Sequence, residues 1–137
     1  MRFIIYVWIL IPMMGCSSSE QGLQPVTGKV VLKDKRAVKG AIIEFVSEGK
    51  TGARGKTDTE GRFELTNGGQ KGAHPGKYQV AIIQMLVTDG AAAHAKAHHA
   101  ALVIHPKYAK LETSGLTREV VTGSNDFTIE LDTAAQK

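Results

Sequence analysis

The sequence predicts an all-β fold, an antiparallel β-sandwich of about seven short strands. Three observations lead there. Along several runs between residues 26 and 84, and again at 126–132, apolar side chains recur at every second position, the period of a strand with one buried face, while residues 86–124 are less regular. Clusters of Gly, Pro, Asn and Asp interrupt that pattern about every eight to twelve residues. The composition, 137 residues with 42% apolar and 22% charged, is that of one ordinary folded domain and not of a disordered or collagenous chain. A single Cys excludes a disulfide scaffold.

The strands follow in order. Residues 26–33 place Gly28, Val30 and Leu32 on one face, and Asp34-Lys35-Arg36-Ala37 turns the chain. Residues 38–46 alternate clearly, with Ala41, Ile43 and Phe45 inward and Glu44 outward. Residues 53–57 are weakly apolar and carry Arg54 and Lys56, which marks them as an edge strand protected by charge. Asp58-Thr59-Glu60-Gly61 is a hairpin signal, because Asp bonds its own backbone and Gly accepts positive φ. Residues 62–66 turn Phe63 and Leu65 inward, and residues 67–75 form a Gly-rich loop. Residues 76–84 alternate again around Tyr78, Val80 and Ile82. A further strand is expected at 118–122, and the last, 126–132, buries Phe127, Ile129 and Leu131 while exposing Thr128, Glu130 and Asp132.

The N-terminus has a different character. Arg2 precedes the apolar run Phe3-Ile4-Ile5-Tyr6-Val7-Trp8-Ile9-Leu10-Ile11-Pro12-Met13-Met14. This run falls short of the roughly 20 residues a membrane-spanning helix needs, so it reads as the h-region of an export signal. Gly15 and Cys16 follow, and Cys16 is the only cysteine of the chain. The arrangement resembles a bacterial lipoprotein signal, with Met13 standing where Leu is usual. The resemblance implies a signal peptide at residues 1–15 and a covalent lipid, palmitate among its chains, on Cys16. At about 0.8 kcal/mol per buried CH₂, several acyl chains make a durable anchor. Residues 16–24 then read as a lipidated N-terminus and flexible tether, and 25–133 as the domain, held at a membrane and facing the periplasm or the cell exterior. Whether the membrane is the inner or the outer one stays open.

Four segments resemble, in order and spacing, the carboxypeptidase regulatory-like domain: Val26-Thr27-Gly28-Lys29-Val30, Val38-Lys39-Gly40-Ala41-Ile42-Ile43-Glu44-Phe45, Thr57-Asp58-Thr59-Glu60-Gly61-Arg62-Phe63-Glu64-Leu65 and Pro75-Gly76-Lys77-Tyr78-Gln79-Val80. Ile104-His105-Pro106-Lys107-Tyr108 and Asn125-Asp126-Phe127-Thr128-Ile129-Glu130-Leu131 are similar to stretches of small bacterial lipoproteins built on the same domain. The resemblance implies a seven-stranded Ig-like, transthyretin-like sandwich. It implies no catalytic residues and no cofactor beyond the lipid.

The search for chemistry agrees with a non-catalytic module. Ser47, Ser114 and Ser124 lack a nucleophile-elbow context. The Asp58 turn lacks the repeated acidic spacing of a calcium loop. The basic stretch Lys33, Lys35, Arg36 and Lys39 lies in a predicted loop, without the organised stripe and stacking aromatics that nucleic-acid binding requires. The expected partner is an envelope protein or polymer, and the oligomeric state is open. One feature supports an alternative from another class. All five histidines fall between residues 74 and 105, three of them in an Ala-rich insertion at 90–101. Ala favours helix, which would set His94 and His98 on one face four residues apart, a spacing that can share Zn²⁺ or Cu²⁺. His94, His98, His99 and His105 are the candidate ligands of that metal-handling alternative, with His74 as a further one.

Overall fold

β1 (Val26–Leu32) buries Val26, Gly28, Val30 and Leu32 and exposes Thr27 and Lys29, as its alternation predicts. The computed structural model describes residues 22–48, 50–84 and 103–134, with the backbone alone for 50 and 51. Cys16 and the expected signal, and His94, His98 and His99, lie outside these residues.

The described chain is all-β apart from a 3₁₀ turn (Pro106–Ala109) and a single helical turn, α1 (Leu111–Ser114). The remaining strands are β2 (Ala41–Ser47), β3 (Lys50–Lys56), β4 (Arg62–Glu64), β5 (Thr66–Asn67), β6 (Gln70–Lys71), β7 (Gly76–Gln84), β8 (Leu116–Val120) and β9 (Asn125–Leu131). They form a three-stranded sheet, β4-β1-β9, and a six-stranded sheet, β6-β5-β3-β2-β7-β8. Inward residues of both sheets join in one core. Val30, Leu32, Ile129 and Leu131 come from the smaller sheet, and Ile43, Phe45, Tyr78, Val80 and Ile82 from the larger. Phe45 ties them together, stacking on Phe127 of the other sheet at 6.1 Å between centroids and tilting against Tyr78 at 5.8 Å. Each such fully buried side chain contributes about 1.5–3 kcal/mol of transfer free energy.

Several expectations need correction. Nine strands form instead of seven, and β1 and β9 pair in parallel, with Val26 opposite Asn125 and Leu32 opposite Leu131. Alternation reports which face is buried but not the direction of a strand's neighbour. The 53–57 run is internal: β3 pairs with β2 along its length and with β5 at Arg54 opposite Thr66. The 62–66 run splits at Leu65. Glu64 belongs to the smaller sheet and Thr66 to the larger, while Leu65 N–H still donates to Val26 O at 2.9 Å. The Gly-rich loop contains the β5–β6 hairpin, closed by Gly68 and Gly69 at positive φ. The Asp58 turn joins strands of different sheets and so is not a hairpin turn. Phe127 is only half-buried, whereas Tyr108, the aromatic not assigned to the core, is 5% exposed.

The two ends of the body are fixed by the connections. At one end, Gln24 and Ala73 exchange backbone hydrogen bonds at 2.8 and 3.0 Å, and Asn125 N–H donates to Pro25 O. At the other end, the chain leaving β1 doubles back, with Val38 N–H donating to Val30 O. It then crosses sheets at Gly40, whose N–H donates to Thr57 O. Thr57 is buried there, its hydroxyl accepting from Ala41 N–H at 2.8 Å.

Candidate functional site

Candidate chemistry collects at the end of the body where β1, β7 and β9 finish. Here the chain leaves β7 at Gln84 and is next described at Val103. Gln84 Oε1 accepts from Val103 N–H at 2.7 Å and from Ile104 N–H at 3.2 Å. One side chain thus clasps the two stems of the segment that carries His94, His98 and His99. The outgoing stem is then bound to the C-terminal strand. Ala134 N–H donates to Val103 O, Ile104 and Thr133 form an antiparallel bridge, and His105 N–H donates to Asp132 O.

Beside the stems lies an open cavity of about 590 Å³. Its floor is apolar, from Leu32, Ala37, Val38 and Val103, and Lys39, Thr57, Asp58 and Gln84 supply polar groups. Val103 is 38% exposed there, an unusual state for a large apolar side chain in this protein.

Of the candidate ligands, His105 is exposed and caps the 3₁₀ turn, its Nδ1 accepting from Lys107 N–H at 3.2 Å. Pro106 at the first position of that turn needs no donor, which suits it to the site. Only Nε2 of His105 remains to face a metal. His74 is half-buried, and its carbonyl accepts the Tyr78 hydroxyl at 2.8 Å. Among the described residues no three His, Cys, Asp or Glu side chains come together as a metal site.

The densest polar cluster was not anticipated. Asp132 takes Lys33 Nζ on Oδ1 at 2.5 Å and Lys107 Nζ on Oδ2 at 2.6 Å, and the Tyr108 hydroxyl donates to Oδ2 at 2.9 Å. The same hydroxyl accepts from Asp132 N–H at 3.2 Å. Lys107, Lys33 and Tyr108, in that order of effect, hold the Asp132 carboxyl well below the usual carboxylate range, and the two lysines are raised in return. Lys107 also lies 4.8 Å from the Tyr108 ring centroid. In the sequence Asp132 is merely an outward position of the last strand. Its partners come from residues 24 and more positions away, and no local signal announces them.

The basic loop is largely neutralised. Lys33 pairs with Asp132, Lys35 with Glu130 and Arg36 with Asp34, whose carboxyl is lowered by the Arg36 backbone N–H and guanidinium. Ser114 is consumed by structure, its hydroxyl donating to Leu111 O and accepting from Leu116 N–H. Asp58 Oδ1 accepts from the N–H groups of Glu60 and Arg62, so it organises the turn. Among the described residues no helix is long and apolar enough to cross a membrane.

No family model matches the chain, and neither a curated protein nor a solved structure matches it.

Proposed function

We propose that this protein is an exported lipoprotein of the cell envelope, held to a membrane by a lipid on Cys16 and acting as a non-catalytic binding or structural module. The observation that carries the reading is Cys16 itself, the chain's only cysteine, placed directly after Gly15 and a short apolar run behind Arg2. The body is read as an Ig-like, transthyretin-like sandwich of the carboxypeptidase regulatory-like kind. Two features support that reading: two sheets around one core, and an order of segments that resembles the family. Its partner is an envelope protein or polymer. The cavity beside Val38 and Val103 and β8, the edge strand of the larger sheet among the described residues, are the surfaces suited to it.

Mass analysis of the protein recovered from membranes tests the anchor. A mature chain starting at Cys16 and carrying a diacylglyceryl thioether is expected, and Cys16→Ala should leave the chain unprocessed and unlipidated. A mature terminus elsewhere, without lipid, would overturn the reading. Crosslinking in intact cells tests the module. An adduct with an envelope component is expected, and recovery of free monomer alone counts against it.

A further inference from the structure

Resting on the lipid anchor proposed above, we propose that one particular end of the body lies on the bilayer. This end comprises residues 72–75 and the β8–β9 turn, residues 121–124, and it places Val121 against the headgroup layer. The argument starts from where the chain joins the fold. Gln24 is fixed there by its backbone exchange with Ala73, and its Oε1 accepts from Gly123 N–H at 2.8 Å. The turn that receives this bond is itself rigid. Asn125, 5% exposed, donates from Nδ2 to the carbonyls of Val121, Gly123 and Pro25, and its Oδ1 accepts from Val121 N–H at 2.9 Å. Val121 and Gln24 therefore move as one unit.

Length then limits the geometry. Gln24 lies eight residue steps beyond Cys16, and at about 3.3–3.6 Å per step they reach at most about 29 Å even when fully extended. The seven residues of β1 span about 23 Å. Bringing the opposite end to the bilayer would require the tether to run the length of the body nearly fully extended, well beyond the relaxed reach of about 14–17 Å for a flexible chain of that length. Val121 is 53% exposed, the most exposed large apolar side chain among the described residues. A lone exposed valine is ordinary on a protein surface; its place beside the tether gives it a role.

The charges flanking this end are balanced. Lys71 pairs with Glu64 at 2.9 Å, Lys77 stands opposite Glu119 in the β7–β8 register, and Asp126 is exposed. Among the described residues no basic cluster lies there to select anionic lipid, so the contact is apolar and suits a zwitterionic surface. The 590 Å³ cavity and the Gln84–Val103 stems then face away from the membrane, toward partners.

The test uses the full-length protein purified from membranes, with the lipid on Cys16 verified by mass, in phosphatidylcholine vesicles containing headgroup-nitroxide lipid. A small fluorophore is placed on Val121→Cys, on Ser124→Cys at the same turn, or on Thr59→Cys at the opposite end. All three positions are exposed. Quenching several-fold stronger at 121 and 124 than at 59 is expected. Equal quenching, or stronger quenching at 59, in verified lipidated protein overturns the orientation and leaves the anchor standing. Absence of lipid on Cys16 overturns both.

Discussion

A Cβ added at Gly28 would lie 2.2 Å from Phe127 O and 2.7 Å from Phe63 Cζ, because β1 is squeezed between β4 and β9 at that point. Gly28→Ala must therefore push a backbone carbonyl and an aromatic ring apart. We expect it to cost about 1–3 kcal/mol, read as a lowered denaturant midpoint with an unchanged slope. Asn125 acts by the opposite means, filling a polar vacancy instead of leaving room. Its amide bonds three carbonyls and one N–H at the start of β9. Asn125→Ala removes these bonds from a buried position that holds the turn, and a loss of about 1–3 kcal/mol is expected in the same measurement.

At the scale of elements, the 3₁₀ turn and α1 are held against the end of β9 by Asp132. This carboxylate joins Lys33 of the β1 loop to Lys107 and Tyr108 of the turn. Its pKa in the folded protein is depressed, so its contribution to stability has a definite sign. The contribution is fully present above the ordinary carboxylate range and is lost as the pH falls through the lower folded-state value. Urea midpoints of the wild type and Asp132→Asn should therefore differ at pH 6. The gap should narrow from about pH 4 downward. A gap that stayed constant to pH 2 would mean that Asp132 acts through packing and not through its charge.

At the scale of the molecule, the stems at Gln84 and Val103 are joined independently of what lies between them. Gln84 Oε1 holds both Val103 and Ile104, and the C-terminal strand holds the outgoing stem. Replacing residues 86–101 by Gly-Ser-Gly should leave the two-sheet body folded, with Tm changed by only a few degrees, since loop-closure entropy varies slowly with length. Thermal unfolding followed by circular dichroism checks this. A Zn²⁺ and Cu²⁺ titration of the same deletion beside the full chain decides the metal alternative. Micromolar binding lost in the deletion would support it, and weak binding common to both would make the histidines a solvated surface.

Much of the fold was legible because the strand period is local. The β7 boundaries, Gly76–Gln84, and the inward positions Ile43, Phe45, Tyr78, Val80 and Ile82 follow from alternation that a few neighbouring residues display. The short 3₁₀ turn was marked only by Pro106, and the burial of Tyr108 was not marked at all. Of the candidate site, Cys16 and the histidines stand out by type and position along the chain. Gln84 and Asp132 do not, since a glutamine at a strand end and an aspartate at an outward position look like ordinary surface residues. By itself the sequence determined that the chain is β and which strand positions, Ile43, Phe45, Tyr78, Val80 and Ile82 among them, enter the core. Only the tertiary structure decided three things: that β9 runs parallel to β1, that the chain changes sheets at Leu65, and that Asp132 gathers Lys33, Lys107 and Tyr108. The physical reason is range. Face and turn chemistry are set by residues a few positions apart, whereas strand partners and buried charge networks join residues tens of positions apart, where only the closed chain brings them together.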